Sequence, residues 1–169
     1  HQDKLAINLI AYGYDLSADV GYPASWVSPK IGGWETHTAS HATVMVDGEN
    51  QVFSTGSLNG FVPGPWVHLA DASGERAYPG RVGLYRRAVV LIPVDEERAY
   101  VVDLFRVKGG RRHDYGFHSL GGDDGERFAL ELSHGATLTS QVGGTLAGTD
   151  VAFASQPGYG FIRDVSRGE

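Results

Sequence analysis

An all-β chain, an antiparallel sandwich of two sheets with about ten or more short strands and no substantial helix, is what this sequence predicts. Apolar and polar residues alternate with period two along many short runs, the signature of strands with one buried face. Turn-forming Gly, Asp and Ser separate those runs at short intervals, as in a sandwich. No window carries the 3.6-residue apolar period of an amphipathic helix. Glycine supplies the turns: 24 of 169 residues, with only 7 prolines and no repeating G-x-y that would indicate collagen. Hydrophobic residues at 41%, with 7 Phe, 8 Tyr and 3 Trp, exclude a disordered segment. The length fits one domain over residues 1–169.

Taken in order, residues 5–11 alternate around Asn8, and Gly13 separates them from a second run at 14–20. Residues 42–46 end in Asp47-Gly48, a strong hairpin signal, and the pattern resumes at 51–53. Residues 56–79 hold Pro63, Pro65 and Pro79 and read as a long irregular surface excursion. Two longer strands follow, 82–92 closed by Pro93 and 99–107 closed by Gly109-Gly110. The polar connection 94–98 between them is of hairpin length, so they are expected to pair antiparallel. Further strands are expected at 114–118, 127–132, 136–142, 151–154 and 160–162.

Lys and Arg number 14 against 20 Asp and Glu, a net charge of −6 with a pI near 5.6. That balance argues against a nucleic-acid partner, which requires a clustered basic face. The short cluster Arg111-Arg112-His113 reads as a solvated turn. The absence of cysteine removes disulfides, thiolate metal sites and thiol nucleophiles, leaving His, Asp and Glu as the strong metal ligands. No apolar run is long enough to span a bilayer. The chain opens on His1 rather than methionine, as expected of a portion of a longer protein.

Three residues of those types stand at ends of early strands. His1 and Asp3 share a strand face with Leu5, Ile7 and Leu9, Asp19 precedes the turn Gly21-Tyr22-Pro23, and His41 shares a face with Thr43 and Met45. Two histidines and a carboxylate with an open fourth position make a reasonable zinc site, His1, Asp19 and His41, although spacing alone fits many chains of this length.

The run Ser40-His41-Ala42-Thr43-Val44-Met45-Val46-Asp47-Gly48-Glu49-Asn50-Gln51 resembles the His-Asn-Thr-Val-x-Val-Asp-Gly-x-x-Gln signature of heparinase II/III-type polysaccharide lyases. His1-Gln2-Asp3 and Asp19-Val20-Gly21-Tyr22 are similar to that family's His-x-Asp and Asp-x-Gly-Tyr elements. Residues 86–93, 100–110 and 113–118 continue the resemblance in order. One departure is Ala42, where the family has Asn; the ligand before it remains.

The resemblance implies the C-terminal β-sandwich of a lyase whose N-terminal helical toroid forms the other wall of the sugar cleft. It implies zinc on His1, Asp19 and His41, in a structural rather than catalytic role, because β-elimination needs no metal-activated water. The expected partners are an acidic polysaccharide and the helical domain of the same protein, with no nucleic acid and no membrane span, and the expected location is extracytoplasmic. Elimination at a uronic acid needs a neutralised carboxylate, a base for the C5 proton and an acid for the leaving oxygen. Most of these groups belong to the toroid in such enzymes; here Tyr22 and His118 are the candidates for proton transfer, and Trp26 and Trp34 for stacking on sugar faces. Whether this portion has activity by itself stays open, and the alternative is a non-catalytic carbohydrate-binding or structural sandwich. A small metal-dependent hydrolase ranks last, since no Glu stands near the three ligands in a zinc-hydrolase motif.

Overall fold

The computed structural model describes residues 2–17, 19, 34–119, 137–155 and 158–168. They form an all-β chain of ten antiparallel strands with no α-helix: β1 Leu9–Ala11, β2 Tyr14–Ser17, β3 Val44–Val46, β4 Ser57–Pro63, β5 His68–Ser73, β6 Val82–Pro93, β7 Ala99–Gly109, β8 His113–Tyr115, β9 Leu138–Ser140 and β10 Ser166–Gly168. Short 3₁₀ turns occupy Thr38–Ser40, Glu75–Ala77 and Gly158–Phe161. No described helix is long and apolar enough to cross a membrane. The chain divides into two compact units, one of His1–Ala6 with Thr43–Tyr115, the other of Ile7–Ala42 with Gly116–Glu169.

The first unit is built on a four-stranded sheet in the order β4-β5-β6-β7, with β3 paired to β8 beside it. The expected β6–β7 hairpin is present, running from Val82↔Gly109 to Pro93↔Ala99. Its loop is closed by Asp95, whose carboxylate accepts the backbone N–H groups of Glu97 and Arg98 at 3.1 and 2.8 Å. Residues 56–79, expected to be irregular, instead contain the β4–β5 hairpin. Pro63 is the last residue of an edge strand, where a missing N–H costs no ladder bond, and the other two prolines lie outside the strands.

The Asp47-Gly48 turn forms as expected, with φ of 56° and 72° and a 3.1 Å bond from Glu49 N–H to the Val46 carbonyl. The return strand at 51–53 does not form. β3 pairs with β8 instead, Val44↔Tyr115 and Val46↔His113, while Gln51 turns its side chain into the interior. Val44, Val46, Ala77, Tyr78 and Tyr85 make the core of this unit, with Phe105 and Val107 packed against it. The Tyr85 ring meets Tyr78 and Phe105 edge-on at 5.4 and 4.9 Å.

Tyr78 satisfies an irregular corner of this core. Its hydroxyl donates to the Glu49 carbonyl at 3.1 Å and accepts the buried Val46 N–H at 3.2 Å. Tyr78→Phe therefore orphans two backbone groups and is expected to cost about 1–2 kcal/mol, measured by urea denaturation. A loss below the error of that measurement would show that water replaces the hydroxyl.

In the second unit β1 pairs with β2 and β9 with β10. The first expected strand, 5–11, shrinks to Leu9–Ala11, and the second stops at Ser17. Leu5 adopts φ 61°, which interrupts extended structure before the strand begins. The runs 151–154 and 160–162 are not strands; Ala154 lies at φ 63°, and Gly158–Phe161 is a 3₁₀ turn. β10 was not expected, because Ser166-Arg167-Gly168 has no apolar alternation. The expected strand at 127–132 lies outside the described residues.

Candidate metal and sugar site

Within the second unit, the 3₁₀ turn Thr38–Ser40 carries the chain into His41, whose N–H closes the turn on the Thr38 carbonyl at 3.2 Å. Ser40 Oγ donates to the His37 carbonyl at 2.7 Å and fixes the same turn. His41 thus stands on a turn rather than at the opening of the strand, which starts at Val44. Its side chain is 0% exposed, and its Nδ1 lies 3.3 Å from Oδ2 of Asp19, two residues beyond β2.

That separation matters chemically. Nitrogen and oxygen ligands at 2.0–2.1 Å from a tetrahedral zinc stand about 3.3 Å apart. One imidazole and one carboxylate at this spacing therefore fit two corners of such a site, and the donor set suits zinc. His1, the third ligand implied by the resemblance, lies outside the described residues, as do Tyr22 and Trp26.

The two other candidates meet each other. Trp34 and His118 pack edge to face with ring centroids 6.1 Å apart. Trp34 also lies against Phe161 at 6.0 Å, and Phe161 in turn touches His37 at 5.6 Å and Phe153 at 6.0 Å. Gly158 permits this packing, since a Cβ there would stand 2.9 Å from Cβ of His37. Burial pushes the His118 pKa below its ordinary value, and the nearby His41 adds to that, against the opposing hydrogen bond to the Ala39 carbonyl. Nε2 of His118 is buried with no hydrogen-bond partner among the described residues, so the proton on Ala39 belongs to Nδ1 and Nε2 carries the lone pair.

Sequence reasoning missed what the signature does in the first unit. The Gln51 amide clips the backbone of Lys4: Oε1 accepts the Lys4 N–H at 2.6 Å and Nε2 donates to the Lys4 carbonyl at 3.1 Å. Its second N–H goes to the Tyr85 hydroxyl at 2.9 Å. Thr43 Oγ1 lies 3.0 Å from the same Lys4 carbonyl and 3.1 Å from the Tyr85 hydroxyl. Asp47 accepts the Arg111 and Arg112 N–H groups at 2.7 and 2.9 Å, and these bonds hold its carboxyl below the usual range. Arg87, 3% exposed, grips Asp103 through two 2.8 Å bonds and donates to the Leu5 carbonyl at 2.5 Å.

Val44, Val46, Thr43, Asp47, Gly48 and Gln51 are thus the scaffold of one unit, whereas His41 belongs to a site in the other. No curated protein matches the chain. Residues 1–160 match the family described as heparinase II/III-like, C-terminal. That match spans nearly the whole of the 169 residues, and the chain belongs to this heparinase II/III-like family.

Proposed function

We propose that this chain is the β-sandwich portion of a polysaccharide lyase that cleaves uronic-acid-containing polymers by β-elimination outside the cytoplasm, working with a helical domain that forms the other wall of the cleft. The observation that carries the proposal is the convergence of Asp19 and His41 at 3.3 Å in a chain matched to the family over residues 1–160.

Zinc bound by Asp19, His41 and His1 would supply a rigid crosslink between the segments that bear them. The chain's own residues do the rest. The buried His41 ring presents Nδ1 toward Asp19 from a turn locked by Ser40. His118, the proton-transfer candidate of this unit, is buried, and that burial holds its pKa below the ordinary histidine value. Trp34 sets the plane of that ring by its edge-to-face contact. In this reading Tyr22 supplies the partner proton transfer and Trp26 a sugar-stacking face, with the remaining catalytic groups coming from the helical domain.

Asp19→Ala is expected to abolish stoichiometric zinc, measured by elemental analysis of purified protein, while the chain stays soluble. Stoichiometric zinc in that variant would refute the ligand assignment. In the protein that carries this domain, the reaction class is tested by incubation with alginate and heparan sulfate. Products ending in unsaturated uronate are expected, and saturated reducing and non-reducing ends would identify a hydrolase instead.

A further inference from the structure

The four-stranded sheet of the first unit carries a second polar surface that the metal site does not use. Side chains alternate between the faces of a strand, so the residues facing away from Tyr85, Arg87, Phe105 and Val107 can be read from the register. Ser57 pairs with Ser73, Ser73 with Arg86, and Arg86 with Arg106. These four side chains form one transverse row across all four strands, about 14 Å long at the usual strand spacing. Lys108 follows on the same face, one pleat along β7 from Arg106.

Arg86 and Arg106 stand directly opposite each other, an arrangement that costs stability when both are cationic. Asp71 relieves half of it. Its carboxylate takes Nε and Nη2 of Arg86 at 2.7 and 2.5 Å, and that bonding holds the Asp71 carboxyl down at about 2, so it is ionised at any neutral pH. Glu75 adds a weaker attraction to Arg86. Arg106 and Lys108 are exposed, and neither makes an ion pair with a described carboxylate. Asp71 also attracts Arg106 at longer range, but it is one carboxylate between two guanidiniums, so Arg106 and Lys108 leave an excess of positive charge on this face of a chain whose net charge is −6.

The neighbouring rows are apolar and open. Leu104 is 53% exposed, Val102 36% and Tyr100 52%, all on the face of Arg106. A ligand that fits must place anionic groups on Arg106 and Lys108, hydroxyls on the serine end of the row, and an apolar surface on Leu104 and Tyr100. A pyranose ring with a carboxylate or sulfate substituent has all three, because its axial C–H bonds form an apolar face.

We propose that this outer sheet face is a secondary binding site for an acidic polysaccharide chain, with Arg106 and Lys108 as its anion contacts. The site rests on the lyase reading for its ligand.

The test is affinity electrophoresis of the whole chain in gels containing alginate or heparin, with dextran as the neutral control and polyglutamate as an anion lacking sugar rings, repeated at several salt concentrations. Arg106→Gln combined with Lys108→Gln is the variant, since neither side chain supports the fold through a described bond. Binding of alginate or heparin is expected to fall about tenfold, with a shallower dependence of affinity on salt. Equal retention of parent and variant, or no retention of the parent in either acidic polymer, overturns the site. Polyglutamate binding as tight as either glycan overturns the glycan assignment.

Scoring uronate-end formation separately keeps the two readings distinct. Lost retention in the variant without any lyase product from the protein that carries this domain supports the site and refutes the lyase. Lyase product with unchanged retention refutes the site alone.

Discussion

Arg87→Met is expected to destabilise the first unit by about 3 kcal/mol. Arg87 is 3% exposed, and its guanidinium satisfies both oxygens of Asp103, the Leu5 carbonyl and, at 3.1 Å, the Tyr115 hydroxyl. Its charge also sits over the rings of Phe105 and Tyr115, at 5.3 and 5.8 Å. Removing one partner of a buried pair costs about 3–5 kcal/mol because the other charge stays behind. The lower end applies here, since the Asp103 side chain keeps 19% exposure and some water reaches it.

The sign of the pH dependence separates this account from a simple packing loss. Burial by itself would raise the Asp103 pKa, but the hydrogen bonds from Arg87 and Tyr115 outweigh it and hold the carboxyl below its ordinary value. In the parent, that stabilisation is present above the unfolded carboxyl pKa, near 3.9, and is lost as pH falls through the folded value. In Arg87→Met only burial and the Tyr115 bond remain, so protonation favours the folded variant and its deficit shrinks on acidification. Urea melts at pH 7 and pH 4 measure both effects; a deficit independent of pH would mean that lost contacts, not the stranded carboxylate, carry the cost. Arg87→Met with Asp103→Leu should recover part of the loss.

The parts of the fold legible in the sequence are those encoded locally. The β6–β7 hairpin has β-branched alternation, a polar loop and Pro and Gly boundaries, and its extent is read to within two residues. The Asp47-Gly48 turn is equally local, yet the partner of the strand before it is not the strand expected after it. β3 and β8 are brought together by loops that leave no periodic trace. Proline misleads at 56–79 for a related reason: edge and interior strands look alike in sequence, and only the sheet order shows that β4 tolerates Pro63.

The candidate site was legible through motif order rather than through spacing. Asp19 and His41 are 22 positions apart, on segments with no shared periodicity, and the structure brings their ligand atoms together. The pairing of Trp34 with His118 has no sequence signal, because the two stand 84 positions apart on segments with no shared periodicity. The Arg86–Arg106 opposition likewise appears only once the register is known.

Gln51→Leu is expected to cost about 3 kcal/mol, nearly as much as losing Arg87, although it removes no charge. The substitution preserves most of the volume of a side chain that is 0% exposed and deletes three hydrogen bonds. Two of them terminate on the N–H and C=O of one residue, Lys4, so the amide acts as a one-residue stretch of sheet for a segment outside the strands. The third feeds the Tyr85 hydroxyl, which donates in turn to the Val44 carbonyl. Tyr85 is buried enough that its pKa is pushed up to about 12, keeping the hydroxyl proton in place for that donation at any physiological pH. Hydrogen exchange distinguishes a clip from a generic core contact: the Lys4 amide should lose protection in Gln51→Leu by far more than the amides of β6 and β7. Tyr85→Phe should cost about 1–2 kcal/mol, and the double variant should lose less than the two separate costs together, because both act on the same network. If the Lys4 amide stays as protected in Gln51→Leu as in the parent, the clip does not hold residues 2–5, and other bonds, among them those of Thr43 to the Lys4 carbonyl and of Arg87 to the Leu5 carbonyl, carry that role.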